Sequence, residues 1–96
     1  MSTPEGKVKA DVKKVLWKYK LYWHCPVMNG IGAPSLDFIC CHKGRFFAIE
    51  TKAGNKRPTP RQEITISQME DAGAKVFVIN EETGTGELEN WLDSVV

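Results

Sequence analysis

The amino-acid sequence predicts a single α/β domain in which helices flank a small mixed β-sheet. Three observations favour this class: a 96-residue length that suits one core, two adjacent strand-like segments joined by a short turn, and a later apolar strand that follows a helix. Hydrophobic residues make up 42% of the chain and charged residues 26%, near the averages for folded domains. Collagen-like, coiled-coil and wholly disordered classes are therefore excluded, and one domain is predicted over residues 1–96.

An amphipathic helix is predicted over about residues 4–21. Its apolar side chains recur every three or four positions and form one stripe: Val8, Val12, Val15, Leu16 and Tyr19. Glu5 precedes Val12 by seven residues, so its carboxylate is expected to project along this stripe. The alternative is an acid in the first turn that only favours the helix dipole.

Residues 23–35 show no periodicity and are predicted to form a loop. Strand-favouring residues follow at 36–41 and 45–53, separated by His42, Lys43 and Gly44, which predicts a β-hairpin. After a polar loop at 55–60, Thr59, Pro60 and Gln62 provide the signals of a helix start, and this helix is predicted to end near residue 72.

The last third of the chain predicts a strand and a final helix. Residues 75–79 are apolar and follow a helix, so this strand is expected to lie parallel to a hairpin strand through a right-handed crossover. A turn at 81–86 precedes an amphipathic helix marked by Leu88, Trp91, Leu92 and Val95. The predicted order of elements is αββαβα.

Charge is distributed unevenly along the chain. Residues 1–62 hold twelve Lys and Arg against four acids, whereas residues 63–96 hold one Lys against eight acids. A basic segment of this kind favours a polyanionic partner, although a solvated lysine face would give the same composition.

The sequence favours an intracellular protein without a membrane segment. No apolar run approaches the roughly 18 residues that span a bilayer, and residues 1–9 contain no secretory signal. The three cysteines cannot all pair within one chain, which fits a reducing compartment such as the cytoplasm. A structural zinc site built from Cys25, Cys40, Cys41 and the two histidines fits none of the usual spacings, so buried free thiols are favoured.

The hairpin brings acidic side chains together. Side chains alternate along a strand, so Glu50 and Lys52 share one face. With a two-residue turn, Asp37 lies directly opposite Glu50, with Cβ atoms about 4.5–5.5 Å apart. A three-residue loop would move Asp37 to a diagonal position that is still within reach. Two carboxylates this close repel one another unless a cation lies between them.

Hard oxygen ligands favour Mg²⁺ or Mn²⁺ over zinc at this pair, and Lys52 could then orient or deprotonate a water and offset charge on an attacked phosphate. Gln62 shares a helix face with Ile66, which directs it toward the same place. The alternatives are that Asp37, Glu50 and Lys52 are ordinary solvent-facing residues, and that Gln62 only completes a capping box with Thr59.

Four segments carry a resemblance to a known family: Leu-Asp-Phe-Ile at 36–39, Phe-Phe-Ala-Ile-Glu-Thr-Lys at 46–52, Thr-Pro-Arg-Gln at 59–62 and Ala-Gly-Ala-Lys-Val-Phe-Val-Ile at 72–79. In this order the sequence resembles the VRR-NUC branch of the PD-(D/E)xK nuclease superfamily, especially its small stand-alone members encoded by phages. The similarity extends from residue 5 to residue 79 and implies a restriction-endonuclease-like core.

The resemblance implies roles for individual residues. Asp37, Glu50 and the carbonyl of Thr51 would bind the divalent ion, and Lys52 would be catalytic. The helix residue Gln62 and the first-helix residue Glu5 would complete the site. Many family members have Asp directly after Pro in a Gly-x-Pro-Asp motif, whereas residues 35–36 separate Pro from Asp in this chain.

The resemblance also implies a metal-dependent, structure-specific DNA endonuclease that acts as a homodimer on branched DNA such as four-way (Holliday) junctions. A phage-encoded member would act in the host cell cytoplasm. Two alternatives share the scaffold: an inactive basic DNA-binding module, and a flap or single-strand nuclease. Basic residues predicted to contact phosphates are Lys7, Lys9, Lys13, Lys14, Lys56, Arg57 and Arg61.

Overall fold

The computed structural model describes residues 3–27 and 34–96. Within these residues a four-stranded mixed sheet is flanked by helices. The elements in chain order are α1 (Pro4–Lys18), β1 (Tyr22–His24), β2 (Phe38–His42), β3 (Arg45–Thr51), α2 (Pro60–Asp71), β4 (Lys75–Ile79) and α3 (Gly86–Ser94). The strands lie in the order β1-β2-β3-β4, with only the β3–β4 pair parallel. The predicted hairpin, crossover helix and parallel strand are confirmed.

Strand β1 was not predicted. Its last two residues lie in the segment 23–35 that was expected to be a loop. Residues 28–33 of that segment are outside the described residues. The strand pairs antiparallel with β2 through Trp23 and Cys40. A strand of three residues is too short to show a period of two, so its pairing with β2 could not be inferred from pattern. Helix α1 also ends earlier than predicted, because Lys20 has a positive φ of 54° that turns the chain toward β1.

The hairpin between β2 and β3 has the predicted two-residue turn. Lys43 and Gly44 both have positive φ, at 51° and 81°, as a type I′ turn requires. His42 therefore pairs with Arg45, and the register continues to Phe38 opposite Ile49. Asp37 directly precedes Phe38 and Glu50 directly follows Ile49, so the two acidic residues flank the last pair of this register.

Apolar side chains cover both faces of the sheet. The stripe predicted on α1 is buried together with two leucines of α3 against one face, in a cluster that includes Val12, Leu16, Phe47, Phe77, Leu88 and Leu92. On the other face a smaller cluster joins α2 to the strands through Leu36, Ala48 and Ile66. No helix among the described residues has the length and apolarity needed to cross a membrane.

The tryptophans and the cysteines differ among themselves in how far they are buried. Trp91 contacts the core rings, with Phe47 at 5.1 Å between centroids, and Trp23 is half-buried. Trp17 is 69% exposed. Cys40 is buried as predicted, whereas Cys25 and Cys41 are exposed. Cys41 follows Cys40 in β2, so its side chain lies on the face opposite the cluster that contains Cys40.

Candidate active site

Asp37 and Glu50 lie together at the open end of the hairpin. The backbone N–H of Asp37 donates a hydrogen bond to Oε1 of Glu50 at 3.2 Å. The Asp37 Oδ2 atom accepts from the backbone N–H of Thr51 at 2.9 Å and from its hydroxyl at 2.7 Å. Strand β3 thus fixes the Asp37 carboxylate through Thr51, a residue with no exposed surface.

Glu50 is a buried carboxylate with two nearby donors. Only 3% of the residue is exposed, and its Oε2 atom accepts a 2.7 Å hydrogen bond from Nε2 of Gln62. The Lys52 amine lies 3.7 Å from the same oxygen. Burial, and then the negative charge of Asp37, raise the pKa of Glu50 to about 7, against the opposing effect of Lys52. The site therefore favours added positive charge at Glu50, whether a proton or a metal ion.

Gln62 makes both the capping contacts and a contact to the acidic pair, which the sequence left as alternatives. Its backbone N–H donates to the Thr59 hydroxyl at 3.2 Å, and its Oε1 accepts from the Thr59 backbone N–H at 3.0 Å, which completes a capping box. Its Nε2 remains available and donates to Glu50. The start of α2 is thereby tied to the carboxylate in β3.

Lys52 directly follows the last residue of β3. Its backbone N–H donates to the carbonyl of Ile79 at 2.9 Å, which continues the pairing with β4. The side chain of Lys52 is only 15% exposed. A partly buried amine next to a carboxylate is well placed to face a phosphate that enters the site.

Glu5 contributes less directly than the resemblance implied. Its carboxylate forms an ion pair with Lys9 at 3.4 Å, and 43% of its side chain is exposed. Its negative charge nevertheless helps to raise the pKa of Glu50, as the last of the contributing causes.

The acidic part of the site consists of two carboxylates. Within residues 3–27 and 34–96, no three His, Cys, Asp or Glu side chains are close enough to hold a metal ion together. Two carboxylates, a carbonyl and water suit Mg²⁺, which keeps several waters and uses one or two protein carboxylates. The donor set of Asp37 and Glu50 thus fits the predicted ion.

Replacing Glu50 by glutamine is expected to stabilise the metal-free protein at alkaline pH. Because the pKa of Glu50 rises from 4.5 to about 7 on folding, the wild type loses stability as the pH rises through this range, and glutamine does not. At pH 8 we expect a gain of about 3 kcal/mol, or roughly 12–24 °C in melting temperature. Thermal unfolding in chelator from pH 5 to pH 8 measures it. A difference between the proteins that does not change with pH would contradict the assigned cause.

The basic residues predicted to contact DNA fall into separate groups. Lys9 and Lys13 line a cleft of about 240 Å³ with Asp37, together with Cys25, Pro26 and Phe38. Lys56 and Arg57 line another cleft, in the loop before α2. The structure does not bring Lys14 to Asp37: it lines a cleft with Asn80 and Glu81. Lys7 and Arg61 are exposed.

Two features of the site were not predicted from the sequence. The hydrogen bond from the Thr51 hydroxyl to Asp37 was not predicted, because alternation along β3 places Thr51 and Glu50 on opposite faces of the strand. Cys25 was not predicted to line the cleft, because it lies in a segment without periodicity.

Comparison with known proteins extends the fold assignment. No family model and no curated protein matches the sequence. A solved structure described as a "VRR_NUC domain" superposes with a TM-score of 0.76 over 99% of this chain and 100% of that chain, at 20% sequence identity. This chain has the fold of a VRR_NUC domain. The VRR-NUC fold inferred from the sequence motifs is confirmed, while the roles of individual residues remain proposals.

Proposed function

We propose that this protein is a metal-dependent endonuclease that hydrolyses phosphodiester bonds in branched DNA such as four-way junctions. The observation that carries the proposal is the pair of adjacent carboxylates, Asp37 and Glu50, with the Lys52 amine 3.7 Å from Glu50. The VRR_NUC-like fold supports the same reaction class. The basic residues of the first two thirds of the chain supply charge for DNA binding.

Asp37, Glu50 and the backbone carbonyl of Thr51 would hold Mg²⁺ or Mn²⁺. When bound, the ion supplies Lewis acidity and polarises the phosphate. The Thr51 N–H and hydroxyl hold the Asp37 carboxylate in place, and Gln62 fixes one oxygen of Glu50. Gln62 would thereby set the orientation of Glu50 toward the ion.

Lys52 would act on the reacting groups themselves. Its amine can stabilise the charge that develops on the attacked phosphate, or take a proton from the attacking water. Because the amine is little exposed, its interaction with a phosphate is less screened than it would be at an open surface.

We further propose that the protein acts as a homodimer, in the host cytoplasm if a phage encodes it. Resolving a four-way junction requires two cuts related by two-fold symmetry, and a symmetric dimer presents two sites in that arrangement. An inactive DNA-binding module on this scaffold would not need the acidic pair, which disfavours binding of a polyanion when no cation is present.

A cleavage assay tests the reaction and its substrate. Labelled four-way junction, flap, single-stranded and linear duplex DNA are incubated with the protein in Mg²⁺, in Mn²⁺ or in chelator. We expect cleavage only with metal and fastest cleavage of the junction. DNA binding without any metal-dependent cleavage would support the inactive module, and preference for flap or single strand would replace the junction as substrate.

A further inference from the structure

A ridge of side chains on helix α1 leads away from the active site. Glu5, Lys9, Lys13 and Trp17 recur at intervals of four residues, so each neighbours the next along a ridge that winds about 120° around the helix. Glu5 is ion-paired to Lys9, and Lys9 and Lys13 line the same cleft as Asp37. At a rise of about 1.5 Å per residue, the ridge from Glu5 to Trp17 extends roughly 18 Å from the site.

The far end of this ridge is an exposed aromatic side chain. Trp17 is 69% exposed, and its ring meets Trp23 edge-on, with centroids 5.9 Å apart and planes at 89°. Trp23 in turn packs against the buried ring of Phe38 at 5.9 Å. The neighbouring Tyr22 on β1 is 70% exposed. The indole of Trp17 is thus supported along one side while much of its surface faces solvent.

We infer that Lys9, Lys13 and Trp17 form a groove that binds an unpaired DNA strand leaving the active site. The two lysines contact successive parts of the phosphate backbone, and a base stacks on the Trp17 indole. Positive charge combined with an exposed aromatic platform is how proteins bind single strands without reading their sequence. At about 3.4 Å per nucleotide of a stacked strand, the ridge accommodates roughly five nucleotides.

This inference rests on the proposed nuclease function and adds to it that one DNA strand unpairs at the branch point next to the cut, because the arms of a four-way junction are otherwise fully paired. Charge complementarity favours a nucleic acid over another occupant, because Lys13 and Lys9 lie about one and two helical turns from Trp17 and line a cleft with Asp37. A second copy of the chain covering Trp17 is the competing occupant.

The experiment measures affinity by fluorescence anisotropy for labelled DNA with an unpaired arm and for fully paired duplex, in chelator so that no cleavage occurs. Trp17→Leu should weaken binding of the armed DNA about tenfold or more, and Trp17→Phe should restore most of it. Lys9→Gln with Lys13→Gln should lower the slope of log affinity against log salt by about 0.7 per lysine. The charge-matched control is Lys43→Asn with Lys75→Gln, which lie elsewhere and should leave the slope unchanged.

Equal affinity of Trp17→Leu and Trp17→Phe would overturn the groove, as would equal salt slopes for the two lysine pairs. A halved molecular mass of Trp17→Leu in sedimentation would also overturn it, because a second copy then covers Trp17. If wild type cuts DNA but these variants behave like the controls, only the groove fails. If wild type neither binds nor cuts DNA, the proposed function fails first.

Discussion

Replacing Lys52 by alanine is expected to leave DNA affinity nearly intact and to slow hydrolysis at least about a hundredfold. The amine lies 3.7 Å from Glu50 and is positioned to act on the phosphate mainly when charge develops during the reaction. Single-turnover cleavage of a four-way junction at saturating enzyme measures the rate without the binding step.

Lys75→Ala is the matched control, because it removes the same charge from β4, where the amine lies over the ring of Phe77. Circular dichroism checks that both variants fold. If Lys52→Ala cuts as fast as wild type, Lys52 has no catalytic role. If both lysine variants slow cleavage equally, the effect is one of overall charge.

Replacing Asp37 by asparagine is expected to abolish stabilisation by Mg²⁺ or Mn²⁺. Metal that binds only the folded wild type stabilises it by about 2.7 kcal/mol at a hundred times its dissociation constant. For a domain of this size, such a gain raises the melting temperature by roughly 10–20 °C. The variant lacks one of the two carboxylates and should show little of this shift in thermal unfolding with increasing metal.

Without metal, Asp37→Asn should lose no stability relative to wild type. The charge of Asp37 is one cause of the raised pKa of Glu50, so its removal relieves repulsion and lowers that pKa. Metal-free Asp37→Asn should therefore be at least as stable as wild type at pH 8. Asp11→Asn, which changes an exposed acid elsewhere on α1, serves as the control. An equal metal shift in Asp37→Asn and wild type would exclude Asp37 as a ligand.

Local signals in the sequence predicted most of the fold. Thr59, Pro60 and Gln62 set the start of α2 because capping depends on residues within one turn. The Lys43–Gly44 turn fixed the hairpin register, because that register follows from turn length alone. Strand β1 was missed because three residues carry no readable period, and its pairing with β2 is a tertiary contact.

For the candidate site, sequence patterns predicted the acidic pair but not its surroundings. Alternation along β3 and the register of the hairpin place Glu50 next to Asp37, and both follow from local geometry. The burial of Glu50 and its hydrogen bond to Gln62 depend on how α2 packs on the sheet, which no local pattern specifies. The exposure of Trp17, in contrast, follows from the apolar spacing of α1, because Trp17 lies nine residues after Val8 and therefore about 180° from it around the helix.

A crystal structure with Mn²⁺, which can be located by its anomalous scattering, tests whether two strands of this fold share one ion. We expect a single Mn²⁺ within bonding distance of a carboxylate oxygen from both Asp37 and Glu50, and no such ion in Asp37→Asn crystals grown in the same solution. An ion bound elsewhere, or bound to only one of these carboxylates, would contradict the proposed site.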